Sequence, residues 1–352
     1  MKKIFSLIVT PSILYLLITM QLSAQERLHY WRDSEAYLQD QASIIIEEAY
    51  KVLAAHPPST TVSSERKLAL FSLDALLHDT RLDNGTAFMT YMDNMAANIA
   101  TELRINKPSG REIRFFRFYN DGFVIQTSTV TVAIDLIRGG KADKPFVNDE
   151  RIRSIVDQCD MLFITHAHGD HADFTVAKMF CEQGKNVIVP NEFWKDLTPH
   201  LRVVRGNIQE TIRLQAKNAS LTVHVYPGHQ ENVLNNVYII TLPEGQTIVH
   251  TGDQDYTDDL VAKISNSKVD VLLVHCWMMP MEKFVSGIKP ALVICGHENE
   301  MEHAIDHRES YWLTFRRMSA IRVPYVIMAW GESYAIRPDN QDVVNQFPVN
   351  KK

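Results

Sequence analysis

Four short stretches of the chain gather the residues best suited to chemistry. The densest is "THAHGDH", where His166, His168, Asp170 and His171 form an H-x-H-x-D-H run. The others are "PGH" with His229, "TGD" with Asp253 and "CGH" with His297. Neutral imidazole and carboxylate are ligands for zinc-like divalent ions. A catalytic ion takes three protein ligands and keeps one position open, so four candidates in one run predict two ions. The run lacks the helical spacing of H-E-x-x-H, so a loop must aim its side chains. Each stretch ends an apolar run, and His229, Asp253 and His297 each follow a glycine, which permits a sharp turn and close backbone approach. Any one of these residues alone reads as a turn or surface position; their shared placement argues for a metal centre.

Such placement needs strands that end at one edge. From "KPSGREIRFFRFYNDGFVIQTSTVTVAIDLIRGG" onward, alternating β-branched and aromatic residues predict consecutive strands, with a hairpin turn at Asn120-Asp121-Gly122. Helical and strand patterns then alternate: "DERIRSIVDQC", "DMLFIT", "FTVAKMFCEQG", "NVIVP", and later "LTVHVYP", "NVYIITL", "TIVHTGD", "VDVLLVH" and "PALVICGH". This predicts an α/β layered architecture. Before it, "SIIIEEAYKVLAAH", "ERKLALFSLDALLHDT" and "TAFMTYMDNMAANIATEL" have apolar residues at helical spacing, with Pro57 and Pro58 separating the first two. The expected organisation is an export signal over 1–24, a helical region over 25–110 that packs against or caps the α/β domain, that domain over 111–340, and a tail over 341–352.

The signal rests on Lys2 and Lys3, the apolar run Ile4–Met20 and the small residues before Gln25. Cleavage is expected after Ala24, giving an exported protein, periplasmic or secreted; an uncleaved membrane anchor is the alternative. A formal net charge of -6 gives no basis for a nucleic-acid partner. The four cysteines, Cys159, Cys181, Cys276 and Cys295, lack the spacing of a thiolate metal site and are read as free thiols packed as small hydrophobes. His275 ends an apolar run and is read as a core histidine or a neighbour of the site. Trp277 and Met278, just after it, are candidates for an apolar wall. His303 and His307, four apart, are expected on a helix.

The ordered set "THAHGDH", "PGH", "TGD", "GH" resembles the metallo-β-lactamase fold superfamily of metallohydrolases. The resemblance implies a four-layer αβ/βα sandwich with an added N-terminal helical segment. It implies a first metal on His166, His168 and His229, a second on Asp170, His171 and His297, and Asp253 bridging them. The ions are expected to be zinc, with manganese or iron as alternatives. Asp253 stands where penicillin-hydrolysing members have Cys, and His168 where oxygen-reducing di-iron members have Glu, so neither activity is expected. The set is most similar to the group with L-ascorbate phosphate lactonases and N-acyl-phosphatidylethanolamine phospholipase D-like enzymes. The implied chemistry is attack by a metal-bridging hydroxide on an ester, lactone or phosphodiester of a small-molecule or lipid-like substrate, with Asp170 orienting the nucleophile and moving a proton. The alternative reading is a non-catalytic metal-binding or sensing module of the same fold.

Overall fold

The computed structural model describes residues 30–190, 194, 211–216 and 219–337; the expected signal and C-terminal tail lie outside the described residues. Three helices come first: α1 (Ser34–Ala55), α2 (Ser64–Leu77) and α3 (Thr86–Ile105). Asp33 and Ser63 cap α1 and α2, their side chains accepting from the N–H groups of Ala36 and Arg66.

Strands β1 (Ile113–Arg117), β2 (Phe123–Gln126) and β3 (Thr131–Ile134) come next, then the small hairpin β4 (Gly140–Lys141) and β5 (Lys144–Pro145). Helix α4 (Asp149–Val156), β6 (Met161–Phe163), α5 (Phe174–Glu182) and β7 (Asn186–Ile188) complete the first half. The second half runs β8 (Thr211–Gln215), β9 (Ser220–Gln230), β10 (Val233–Thr241), β11 (Thr247–His250), α6 (Asp258–Ser265), β12 (Val271–His275), α7 (Met281–Ile288) and β13 (Leu292–Gly296). It ends with α8 (Tyr311–Met318), β14 (Tyr325–Val326) and β15 (Ser333–Ile336).

The strands form two large sheets. One has the order β15-β1-β2-β3-β6-β7, the other β14-β13-β12-β11-β10-β9-β8. Strand alternation divides their side chains between two faces. Phe115, Ile125, Ile134 and Phe163 of the first sheet meet Val223, Tyr238, Ile248, Leu273 and Ile294 of the second in one buried inner core. On the first sheet's outer face, Phe116, Val124 and Leu162 pack with Met92, Ile99, Ile152 and Phe180 from α3, α4 and α5. On the second sheet's outer face, Leu272 and Val293 pack with Leu260 and Ile264 of α6 and Phe284 of α7. The result is the αβ/βα sandwich, with the N-terminal helices extending one outer layer.

Two runs of parallel strands matter for the site. β3, β6 and β7 are parallel neighbours in the first sheet, and β11, β12, β13 and β14 in the second. Parallel strands present their carboxyl ends, and the loops after them, along one edge, where such folds bind ligands.

A buried ion pair ties the N-terminal helices to the residue directly before β15. Arg66 of α2 donates to both carboxylate oxygens of Glu332, at 2.8 and 2.6 Å, and to the carbonyls of His56 and Ile327. Truncating one partner of such a pair strands the other charge in a dry site, at a cost of about 3–5 kcal/mol. Arg66→Ala is therefore expected to lower unfolding stability by about that amount in a denaturant titration; a loss under about 1 kcal/mol would contradict the brace.

Candidate metal centre

The four motifs are carried to one edge of the sandwich. β6 ends at Phe163, and the next residues lead directly into His166. β11 ends at His250 and delivers Asp253; β13 ends at Gly296 and delivers His297. Two glycines permit the approach. Gly252 has φ +51°, and a Cβ there would lie 2.6 Å from Thr165. A Cβ on Gly296 would lie 2.1 Å from Asp121 Oδ1.

Six of the seven expected ligands converge. Ligand atoms of Asp170, His171, Asp253 and His297 all lie within 4.8 Å of one another, as do those of His166, His168 and Asp253. Asp253 belongs to both groups. Its Oδ2 lies 3.2 Å from His171 Nε2, 3.4 Å from His297 Nε2 and 3.7 Å from His166 Nε2. Asp170 Oδ2 is 3.2 Å from His171 Nε2 and 3.3 Å from His297 Nε2. His166 Nε2 is 3.1 Å from His168 Nδ1.

His229 stands apart. It lies within β9 rather than in a loop after it, paired in register with Leu234, and is exposed. It enters neither group of converging ligand atoms. Its parity along β9 is that of Val223 and Val225, so it shares their face, the one turned to the first sheet.

The cluster suits cations. Nε2 of His171, Nε2 of His297 and Oδ1 of Asp253 are buried with no hydrogen-bond partner among the described residues. Buried polar atoms of this kind require an explanation, and a cation between them supplies one. His171 Nδ1 lies 2.8 Å from Asp135 Oδ2 and donates to it, which leaves Nε2, turned to the centre, as the nitrogen that a bound cation would take in place of a proton.

Charge follows the same geometry. Burial alone would raise Asp253, but the adjacent His171 and His297 outweigh it and hold the carboxyl well below its usual range. Asp170 is lowered likewise, burial being overcome by His171 and His297. Burial would lower His171, but Asp253, Asp170 and Asp135 hold it well above its usual value. His166, where burial and the neighbouring His171 dominate, is pushed down to about 3 and is neutral. A neutral imidazole beside buried anionic oxygens is a donor set for a hard or borderline divalent ion.

The supporting residues come from positions that the motifs do not mark. Asp135, directly after β3, also accepts from the Thr165 N–H at 2.8 Å and its hydroxyl at 2.6 Å. Asn120, at the tip of the β1–β2 hairpin, donates Nδ2 to the carbonyl and Oδ2 of Asp170 at 2.9 and 3.0 Å, while its own carbonyl accepts from His297 N–H. Asn235 Oδ1 accepts from Asp253 N–H at 3.1 Å. Asp135, Asn120, His297 and Asn299 all have left-handed φ, of 46°, 54°, 71° and 59°. Such a backbone costs a non-glycine residue about 1–3 kcal/mol and persists only where its surroundings enforce it.

Around the cluster, His275 is buried, its Nε2 donating to the Gln254 carbonyl at 3.2 Å and its ring against Trp277. Trp277 also meets His297 edge to face at 5.6 Å, whereas Met278 is buried in the outer core with Phe284. His303 stacks on His297 at 6.0 Å. The helix expected to carry His303 and His307 is absent: His303 lies in a turn and His307 closes a 3-10 turn over Ile305–His307. All four cysteines are free; Cys159, Cys276 and Cys295 are buried and Cys181 is half-buried.

Residues 134–305 match a family model described as a beta-lactamase superfamily domain. Among solved structures, the chain is similar to Igni18, a metallo hydrolase from the hyperthermophilic archaeon Ignicoccus hospitalis. That protein is 17% identical, with a TM-score of 0.50 over 64% of this chain and 99% of its own. An isothiocyanate hydrolase from Delia radicum gut bacteria is 16% identical, with a TM-score of 0.49 over 63% of this chain and 98% of that one. A diiron β-hydroxylase from Streptomyces venezuelae is 14% identical, with a TM-score of 0.47 over 64% and 54%. At these identities the likeness is one of fold. No curated protein matches the chain. The sandwich and the strand-end cluster of imidazoles and carboxylates thus accompany a matched beta-lactamase superfamily domain over residues 134–305.

Proposed function

We propose that the protein is an exported binuclear hydrolase of a small ester, lactone or phosphodiester. The observation that carries this reading is the shared carboxylate of Asp253, common to two groups of converging ligand atoms. His166, His168 and Asp253 would hold one cation, with His229 as a further donor from β9. Asp170, His171, Asp253 and His297 would hold the other. Zinc is the expected metal for imidazole and carboxylate donors. Ions held there would lower the pKa of water from about 15.7 toward about 7 and polarise the substrate oxygen.

The chain's own residues supply the rest. Asp135 fixes the tautomer and orientation of His171. Asn120 orients Asp170, which is less buried than Asp253 and faces both His171 and His297. In this reading Asp170 would orient a water molecule and take up and release its proton. Trp277 gives the substrate an apolar wall beside His297. One observation favours a second reading, a metal-binding or sensing module without turnover: His229 lies outside both groups.

Asp253→Ala is expected to lose both ions by elemental analysis and to lose the rise in melting temperature that zinc gives the wild type; full retention of two ions would overturn the binuclear reading. Asp170→Ala is expected to fall at least about 100-fold in turnover of a phosphodiester and lactone panel, the scale of a lost general acid–base group. Equal rates in wild type and variant would favour the non-catalytic module. Mass spectrometry of the exported chain should find Gln25 at its N-terminus, and an intact Met1 would argue for a retained anchor.

A further inference from the structure

The chain between β13 and α8 carries His297 and is gripped from outside the matched domain. Asp74 of α2, buried, accepts from Asn299 Nδ2 at 2.9 Å and from the Tyr311 N–H at 2.8 Å through Oδ1, and from the Trp312 N–H at 3.1 Å through Oδ2. One carboxylate thus holds both the second residue after His297 and the first turn of α8.

Arg308 makes a second grip. Its buried guanidinium donates to the carbonyls of Met301 and His303, at 2.7 and 2.9 Å, and to the Leu77 carbonyl at the end of α2, at 2.9 Å. Its forked end meets both oxygens of Asp83 at 2.9 and 2.7 Å. His78 Nε2 donates to the Arg308 carbonyl at 2.8 Å. Within this loop, His297 and Asn299 both take left-handed φ, which the loop would not keep without external bonds. His166 and His168 belong to the loop after β6, and none of the bonds from Asp74, Asp83 or Arg308 reaches it.

We propose that the N-terminal helices are the positioning element of the second cation site. Asp74 and the Asp83–Arg308 pair hold His297 Nε2 at its 3.3 and 3.4 Å approach to Asp170 and Asp253. Removing either grip weakens the second cation and spares the first. This rests on the binuclear reading above. Neither grip touches cation or substrate; partners of this kind orient ligands and are worth about 10–100-fold in metal affinity.

The test is a cobalt(II) titration of the metal-free full chain, followed by visible absorption and calorimetry, for wild type, Asp74→Asn and Asp83→Asn. Asp83 is partly exposed, so its replacement leaves no buried void and decides the matter if Asp74→Asn fails to fold. Wild type is expected to take up two ions in separable steps. In the variants the second dissociation constant should rise at least about tenfold while the first holds. An unchanged second step, or an equal loss in both steps, overturns the assignment alone. A wild type that binds fewer than two ions overturns the binuclear reading and this assignment with it.

Discussion

A buried carboxylate shared between two groups of imidazoles is the constraint to which the rest of the structure answers. Asp253 is nearly inaccessible, yet His171 and His297 keep it ionised. A charge in such a place survives only with opposite charge around it. His171 and His297 supply that compensation, and the Asp170 carboxylate shares it. Asp135 and Asn120 then compensate and orient His171 and Asp170 in turn. Each shell of polar groups is fixed by the one outside it, until the hydrogen bonds end on backbone.

Parallel strands make this convergence possible for a chain of ordinary composition. β3, β6, β11 and β13 are largely apolar and buried, and need no specificity beyond packing. Their carboxyl ends share an edge, so Asp135, His166, Asp253 and His297 are brought together by topology rather than by local conformation. The left-handed residues of the centre appear only after the strands stop, where the chain must turn sharply to face it.

This explains which parts are legible in the sequence. His166, Asp253 and His297 each come after a short apolar run, and the run announces the strand that carries the residue. His229 carries the same signal, but β9 continues through it into a tight hairpin with β10, because "QENV" turns within two residues instead of opening a loop. Asp135 has the same signal as Asp253, an acid directly after "TVAI", yet no motif marks it. Asn120 is visible only as a turn residue; its bond to Asp170 joins positions that no local pattern relates. The helix expected after "GHENE" does not form there because Asp74 and the Ser310 side chain start α8 only at Tyr311. The helical region itself is legible as helices, whereas its grip on the His297 loop depends on contacts between Asp74 or Asp83 and residues far along the chain.

The pairing of β15 with β1 carries a consequence for how the molecule is made. Ile113 finds its partner, Ile336, only after both sheets' intervening strands have been synthesised. Ordering that sheet edge must await a contact of very long sequence separation, the kind that slows folding. A nascent chain therefore leaves this edge of β1 unpaired until β15 has been made, so the first sheet closes after the second.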